Sequence, residues 1–191
     1  MKFAWIVIGG LVILGSACSK AKPPAPELLH PATIKDIMDS MVDPSGDFMF
    51  ESVMQISDEK GVREKAPHTP KEWDEVRHHV FILLEAPNLL VMEGRKVAQP
   101  GEKAQNPSVE LQPEQIQVKV DGDRPAFIRR ARRLQDAAAQ ALKAVDARDV
   151  DALFVANDKI DKACENCHLH YWYPNDKRAQ EAAKEDGLVD E

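Results

Sequence analysis

Residues 150–174 run VDALFVANDKIDKACENCHLHYWYP. Leu153, Ile160, Cys164 and Cys167 recur in this stretch at steps of seven, four and three, which places them on one stripe of a helix. A turn over residues 146–149 leads into it, and Tyr171, Trp172, Tyr173 and Pro174 close it. A helix with one apolar stripe has to bury that stripe against other elements. Composition points to more helices: aromatic residues make up only 6% of the chain, Ala, Leu, Lys, Glu and Asp are common, and β-branched runs are few. An all-α fold is expected, and 191 residues at 43% hydrophobic content suffice for one substantial core.

Three further helical segments precede the last one. The first covers residues 33–42, where Ile34, Ile37, Met38, Met41 and Val42 keep helical spacing. Asp43-Pro44-Ser45-Gly46 then kinks or breaks it, and a continuation from Asp47 carries Phe48, Phe50, Val53, Met54 and Ile56, so the element is one bent helix or two short ones. The second opens at Thr69 as cap, with Pro70 in the first turn and Glu72 completing a capping box. Its stripe is Trp73, Val76, Val80, Leu83, Leu84 and Val91, it runs to about Val97, and Pro87 kinks it in the middle. Residues 99–113 read as a long loop, and residues 115–120 alternate enough for a short extended piece. The third begins near Asp123 with Pro125 in its first turn, and Phe127, Ala131, Leu134, Ala138, Ala141, Leu142 and Val145 repeat close to heptad spacing.

Ala163-Cys164-Glu165-Asn166-Cys167-His168 contains C-x-x-C-H, the pattern of covalent haem attachment. Positions 164, 167 and 168 share a helix face, so two thiols can add to the two haem vinyl groups while the imidazole reaches iron from the same side. A thioredoxin-like dithiol needs a βαβ context that the Ala-rich surroundings do not offer. A zinc site needs a second ligand pair, and the chain has no other cysteine pair. A disulfide would close a very short loop within a helix and leave His168 without a role.

The N-terminus fits that chemistry. Lys2 precedes an apolar run over residues 3–17, too short to span a bilayer comfortably but suited to an export signal, so residues 1–17 are expected to be a signal peptide and the protein to work in the periplasm. Leu14-Gly15-Ser16-Ala17-Cys18 resembles a bacterial lipobox, with Leu14 displaced by one position from the usual leucine, so Cys18 is the candidate lipidation site and plain cleavage the rival. Residues 18–30, with Pro23, Pro24 and Pro26, form a proline-stiffened tether that would hold a domain off a membrane. Each of the three cysteines then has a use. The net charge of −7, or −8 once Lys2 leaves with the signal, argues against nucleic acid and suits a basic redox partner.

Four antiparallel helices with C-x-x-C-H in the last resemble the cytochrome c′ class of four-helix-bundle cytochromes, over roughly residues 30–174. Tyr171 matches the aromatic this class commonly has three residues after the histidine, whereas Trp172 stands where a basic residue usually follows. The resemblance implies an antiparallel four-helix bundle over residues 31–174, haem c bound near the C-terminal helix with His168 as proximal iron ligand, and a charged tail over 175–191.

In such a bundle the first helix covers the distal haem face, and its side chain there separates two functions. A methionine sulfur makes a low-spin electron carrier; an apolar residue leaves a five-coordinate iron that binds or senses a small gas. Ile37, Met38 and Met41 compete for that place, and low-spin relatives, which use a methionine early in this helix, point to Met38 with Met41 second. As fillers, both methionines would also suit an apolar core. His79 is the nearest histidine alternative, Arg129 and Arg133 are candidate partners of haem propionates, and Trp73 and Phe127 read as core. No nucleophile and base pair, phosphate-binding glycine loop or paired carboxylates suggests an enzyme. Electron transfer in the periplasm is the expected function, with gas binding as its alternative, and a homodimer or a haem-bearing subunit of a larger complex as the assemblies to test.

Overall fold

The computed structural model describes residues 28–59 and 61–185. Residues 1–17, expected as a signal peptide, Cys18 and most of the expected tether over 18–30 lie outside these residues. Helices dominate, with a single two-stranded sheet among the described residues. The order is α1 (Ile34–Ile37), a π-helical turn (Met38–Val42), α2 (Asp43–Ser52), β1 (Met54–Asp58), β2 (Gly61–Lys65), α3 (Pro70–Leu90), α4 (Pro113–Gly122), α5 (Arg124–Ala147), α6 (Val150–Tyr171) and α7 (Lys177–Glu185). The first helix packs on α3, α3 on α5, α5 on α6, and α6 returns to α2, which closes a circuit of helices around one core. No helix among the described residues is long and apolar enough to cross a membrane.

The first segment is one bent helix rather than two. Thr33 caps it through a box with Asp36, and the first two amide groups, of Ile34 and Lys35, donate to the carbonyls of Lys96 and Val97 in the central loop at 2.8 and 2.9 Å. Pro44 has no N–H to give and its ring crowds the Ser40 carbonyl one turn back. The helix absorbs this in the wider π turn immediately upstream, where the Asp43 amide bonds the Met38 carbonyl. The continuation is shorter than expected: Val53 is extended, and Met54 and Ile56 belong to β1, which pairs antiparallel with β2 through Ile56 opposite Arg63. Gly61, at φ +108°, supplies the left-handed turn residue of this exposed hairpin.

The second helix has the expected start. The Thr69 hydroxyl accepts from the Glu72 amide at 3.2 Å, and the Glu72 carboxylate accepts from the His68 and Thr69 amides, both at 2.8 Å. Thr69→Ala should lower stability by about 1 kcal/mol, measured by denaturant unfolding. Those donated amide bonds, with the Thr69 hydroxyl, hold the Glu72 carboxyl below its ordinary 4.5. The unfolded chain therefore takes up the proton first on acidification. The contribution of Glu72 is full above about pH 4.5 and is lost as pH falls through the lower folded value. Glu72→Gln, which mimics the protonated acid, should be less stable than wild type at pH 7 and converge with it in that acid window.

This helix ends at Leu90, not Val97, and Pro87 falls in its last turn instead of its middle. Arg95, 6% exposed, stops it by donating through its guanidinium to the carbonyls of Leu89 and Ala32. The stretch expected to be extended is helical: α4 starts at Pro113 with a Gln112–Gln115 capping box, and buries Ile116 and Val120 one turn apart while Val118 points to solvent at 72% exposure. The alternation of Ile116, Val118 and Val120 is thus a helical period seen through one exposed valine.

Asp123 caps α5 by accepting from the Ala126 amide at 3.0 Å, and Arg148, at φ +53°, turns the chain into α6. The small stripe Ala131, Ala138 and Ala141 lets α5 lie close to its neighbours. On α6, Leu153 and Ile160 are fully buried, each worth about 1.5–3 kcal/mol of transfer free energy. Asn157 ties α6 to α2 through a 2.6 Å bond to the Met49 carbonyl. The tail, expected only as a charged segment, contains α7, which buries Ala183 and returns Gln180 to the Leu169 carbonyl at 3.1 Å.

Candidate functional site

The last two turns of α6 carry Cys164, Cys167 and His168. Both cysteines are free thiols, half-buried, and pack against the core. Burial pushes Cys164 up to about 12, helped by Cys167 and by the carboxylates of Asp161, Asp43 and Glu165. Burial likewise pushes Cys167 up to about 12, and the Arg130 guanidinium on α5 partly offsets it. At neutral pH both are therefore thiols rather than thiolates.

His168 opens on a cavity of about 210 Å³ between the first helix, the central loop and the end of α6. Met38 and Asp43 form one wall, Leu111 and Ile116 another, and Trp172 and Tyr173 close the end beside the imidazole. The two cysteines do not line it; they lie on the adjoining side of α6. Burial raises the Asp43 carboxyl, with His168 opposing and Asp39 and Asp47 adding to the shift. The end of α6 is tied down: the His168 carbonyl accepts the amides of Trp172 and Tyr173 at 2.7 and 3.0 Å, and the Trp172 carbonyl accepts that of Leu111 at 2.8 Å.

Around the imidazole a second arrangement appears. His168 Nδ1 lies 3.9 Å from Glu165 Oε1. The Tyr173 hydroxyl donates to the same carboxylate, 2.9 Å from Oε1 and 3.1 Å from Oε2. These contacts, His168 first and Tyr173 after it, hold the Glu165 carboxyl below its ordinary value against the opposing effect of burial.

The distal candidates separate cleanly. Met38, half-buried at the start of the π turn, shares the cavity with His168. Met41 is half-buried against the core and does not line that cavity, and Ile37, 2% exposed, belongs to the core. His79 lies elsewhere, between α3 and α2, stacked on Phe48 at 4.0 Å with Nδ1 3.2 Å from the Ser45 hydroxyl. Arg129 is exposed, and Arg133 donates to Asn166 Oδ1 at 3.1 Å. Arg133 thus bonds a residue inside the motif, while Arg130, 5.8 Å over the Tyr171 ring, is the arginine whose charge acts on Cys167. Trp73 and Phe127 are core residues at 6% and 3% exposure.

Reading by sequence passed over Asp43, Glu165 and Tyr173. Glu165 had a usable signal, since a carboxylate three residues before a histidine on a helix shares its face. Tyr173 had none, because it follows the helix end. Among the described residues no three His, Cys, Asp or Glu side chains converge to hold a bare metal ion. The donor set of two neighbouring thiols, one imidazole and a facing thioether fits a group that brings most of its own metal ligands. The cavity, at about 210 Å³, is smaller than the roughly 300–1,000 Å³ of small-molecule sites. In comparisons with known proteins the chain matches no family model, no curated protein and no solved structure.

Proposed function

We propose that this chain is an exported, monohaem c-type cytochrome of the cytochrome c′ kind, an antiparallel four-helix bundle that carries electrons in the bacterial periplasm. The four bundle helices in this reading are the bent first helix, α3, α5 and α6, which pack around one core. The observation that carries it is the C-x-x-C-H turn of α6, whose histidine faces a methionine of the first helix across one cavity.

Each residue has a defined part. Cys164 and Cys167 are the thiols for the two thioether links, His168 the proximal ligand and Met38 the distal one. With Nδ1 turned to Glu165, the imidazole offers Nε2 to a metal. Leu111, Ile116 and Trp172 supply the apolar part of the wall. A haem held there supplies an iron that accepts and releases one electron. Cys18 is the proposed lipid anchor, and the net charge of −7 favours a basic redox partner. Substrate turnover is not part of the proposal.

The test is expression of the full chain with haem-maturation machinery, followed by haem staining on a denaturing gel and an optical spectrum of the reduced protein. Haem that survives denaturation, with a low-spin spectrum indifferent to carbon monoxide, is the expected result. Absence of covalent haem would overturn the reading.

A further inference from the structure

We propose that Glu165, held by Tyr173, is the anionic positioning partner of the His168 imidazole and lowers the reduction potential of the site. The inference rests on the cytochrome reading and names a control on it. A metal-binding histidine commonly gives its second ring N–H to a carboxylate, which fixes the ring and makes it a more basic ligand. Here the required parts lie on three consecutive turns of chain: Glu165 and His168 one helical turn apart, and Tyr173 just past the helix end. The Nδ1 to Oε1 separation of 3.9 Å is an electrostatic contact longer than a hydrogen bond, with the carboxylate on the same face of the helix as the ring.

Tyr173 gives the carboxylate its position. Its hydroxyl bridges both oxygens, and its backbone amide is anchored to the His168 carbonyl at 3.0 Å, so the acid is held to a residue that is itself fixed to the His168 backbone. The Tyr173 ring also lies 5.8 Å from the imidazole, which limits how far the latter can turn. Asp43, across the cavity, adds negative charge but has no such tie to the ring.

Reduction adds one electron from the partner to ferric iron and makes or breaks no bond. A more basic imidazole and a nearby negative charge both stabilise the ferric form. With the His168 and Glu165 side chains 29% and 38% exposed, solvent screens part of the effect. The expected size is therefore the lower end of what outer-shell partners do, about tenfold in the ferric to ferrous equilibrium, or about 59 mV for one electron.

The experiment compares wild type with Glu165→Gln, each matured with haem, by potentiometric titration. Resonance Raman of the ferrous iron–histidine stretch, in a Met38→Ala background, is the second readout. The potential should rise by that amount and the stretch should fall in frequency. If both proteins carry haem and neither quantity moves, or only the potential moves, Glu165 is not the imidazole's hydrogen-bonding partner and the inference falls while the cytochrome reading stands. If neither protein carries haem, the cytochrome reading itself falls, and this inference with it.

Discussion

Replacing Cys164 and Cys167 together by alanine should abolish covalent haem: the stain on a denaturing gel goes from full intensity to none. The two thioether links are the only covalent hold proposed for the group, and no other cysteine lies in the described chain to replace them. The fold should survive the change. Both thiols are half-buried, and alanine is a better helix former than cysteine, so the expected destabilisation is the roughly 1 kcal/mol typical of a modest core truncation. Far-UV circular dichroism and a thermal melt on haem-free protein would separate loss of attachment from loss of structure. Retention of stain in the double variant would overturn the assignment of these two residues. Each single variant should keep one link and a weaker stain.

The second large effect belongs to Met38→Ala. With the thioether removed, essentially the whole population should pass from low-spin to high-spin, and reduced protein should bind carbon monoxide where wild type does not. The potential should also fall, because a thioether ligand favours ferrous iron. Met41→Ala is the matched control: its side chain packs on the core and does not line the cavity, so it should lower stability and leave the spectrum unchanged. A wild type that is already high-spin and gas-reactive would instead support the five-coordinate alternative, in which Met38 is only part of the cavity wall. If Met41→Ala and not Met38→Ala changed the spin state, the order of the two methionines would be reversed.

The legible parts of the fold are those that local chemistry decides. Thr69 with Glu72 and Asp123 with Pro125 mark two helix starts because a cap involves only the three residues that follow it. The stripe of α6 is visible because its spacing is regular and its residues are large. The misread parts depend on neighbours distant in sequence. Ile116, Val118 and Val120 look like a strand until the packing of α4 on α5 and α6 buries the outer two and exposes the middle one. Met54 and Ile56 keep an apolar rhythm that suits a helix, yet the chain turns out at Val53 into a hairpin. Arg95 ends α3 by reaching the carbonyl of Ala32, a contact that no local pattern announces.

The same division runs through the site. By itself the sequence determined the helical class and put two cysteines and a histidine on one face of the last helix, because i, i+3 and i+4 neighbours are set by helix geometry alone. It also set out Ile37, Met38 and Met41 of the first helix as the candidates to face that histidine, with Met38 ahead of Met41 by resemblance. Only the tertiary structure separates their surroundings: along the bent helix with its π turn, Met38 lines the cavity beside His168, whereas Met41 and Ile37 pack on the core. The Tyr173 hydroxyl on Glu165 and the loop wall at Leu111 were likewise decided by the fold, because both rest on how the chain returns after a helix ends rather than on any repeating pattern within it.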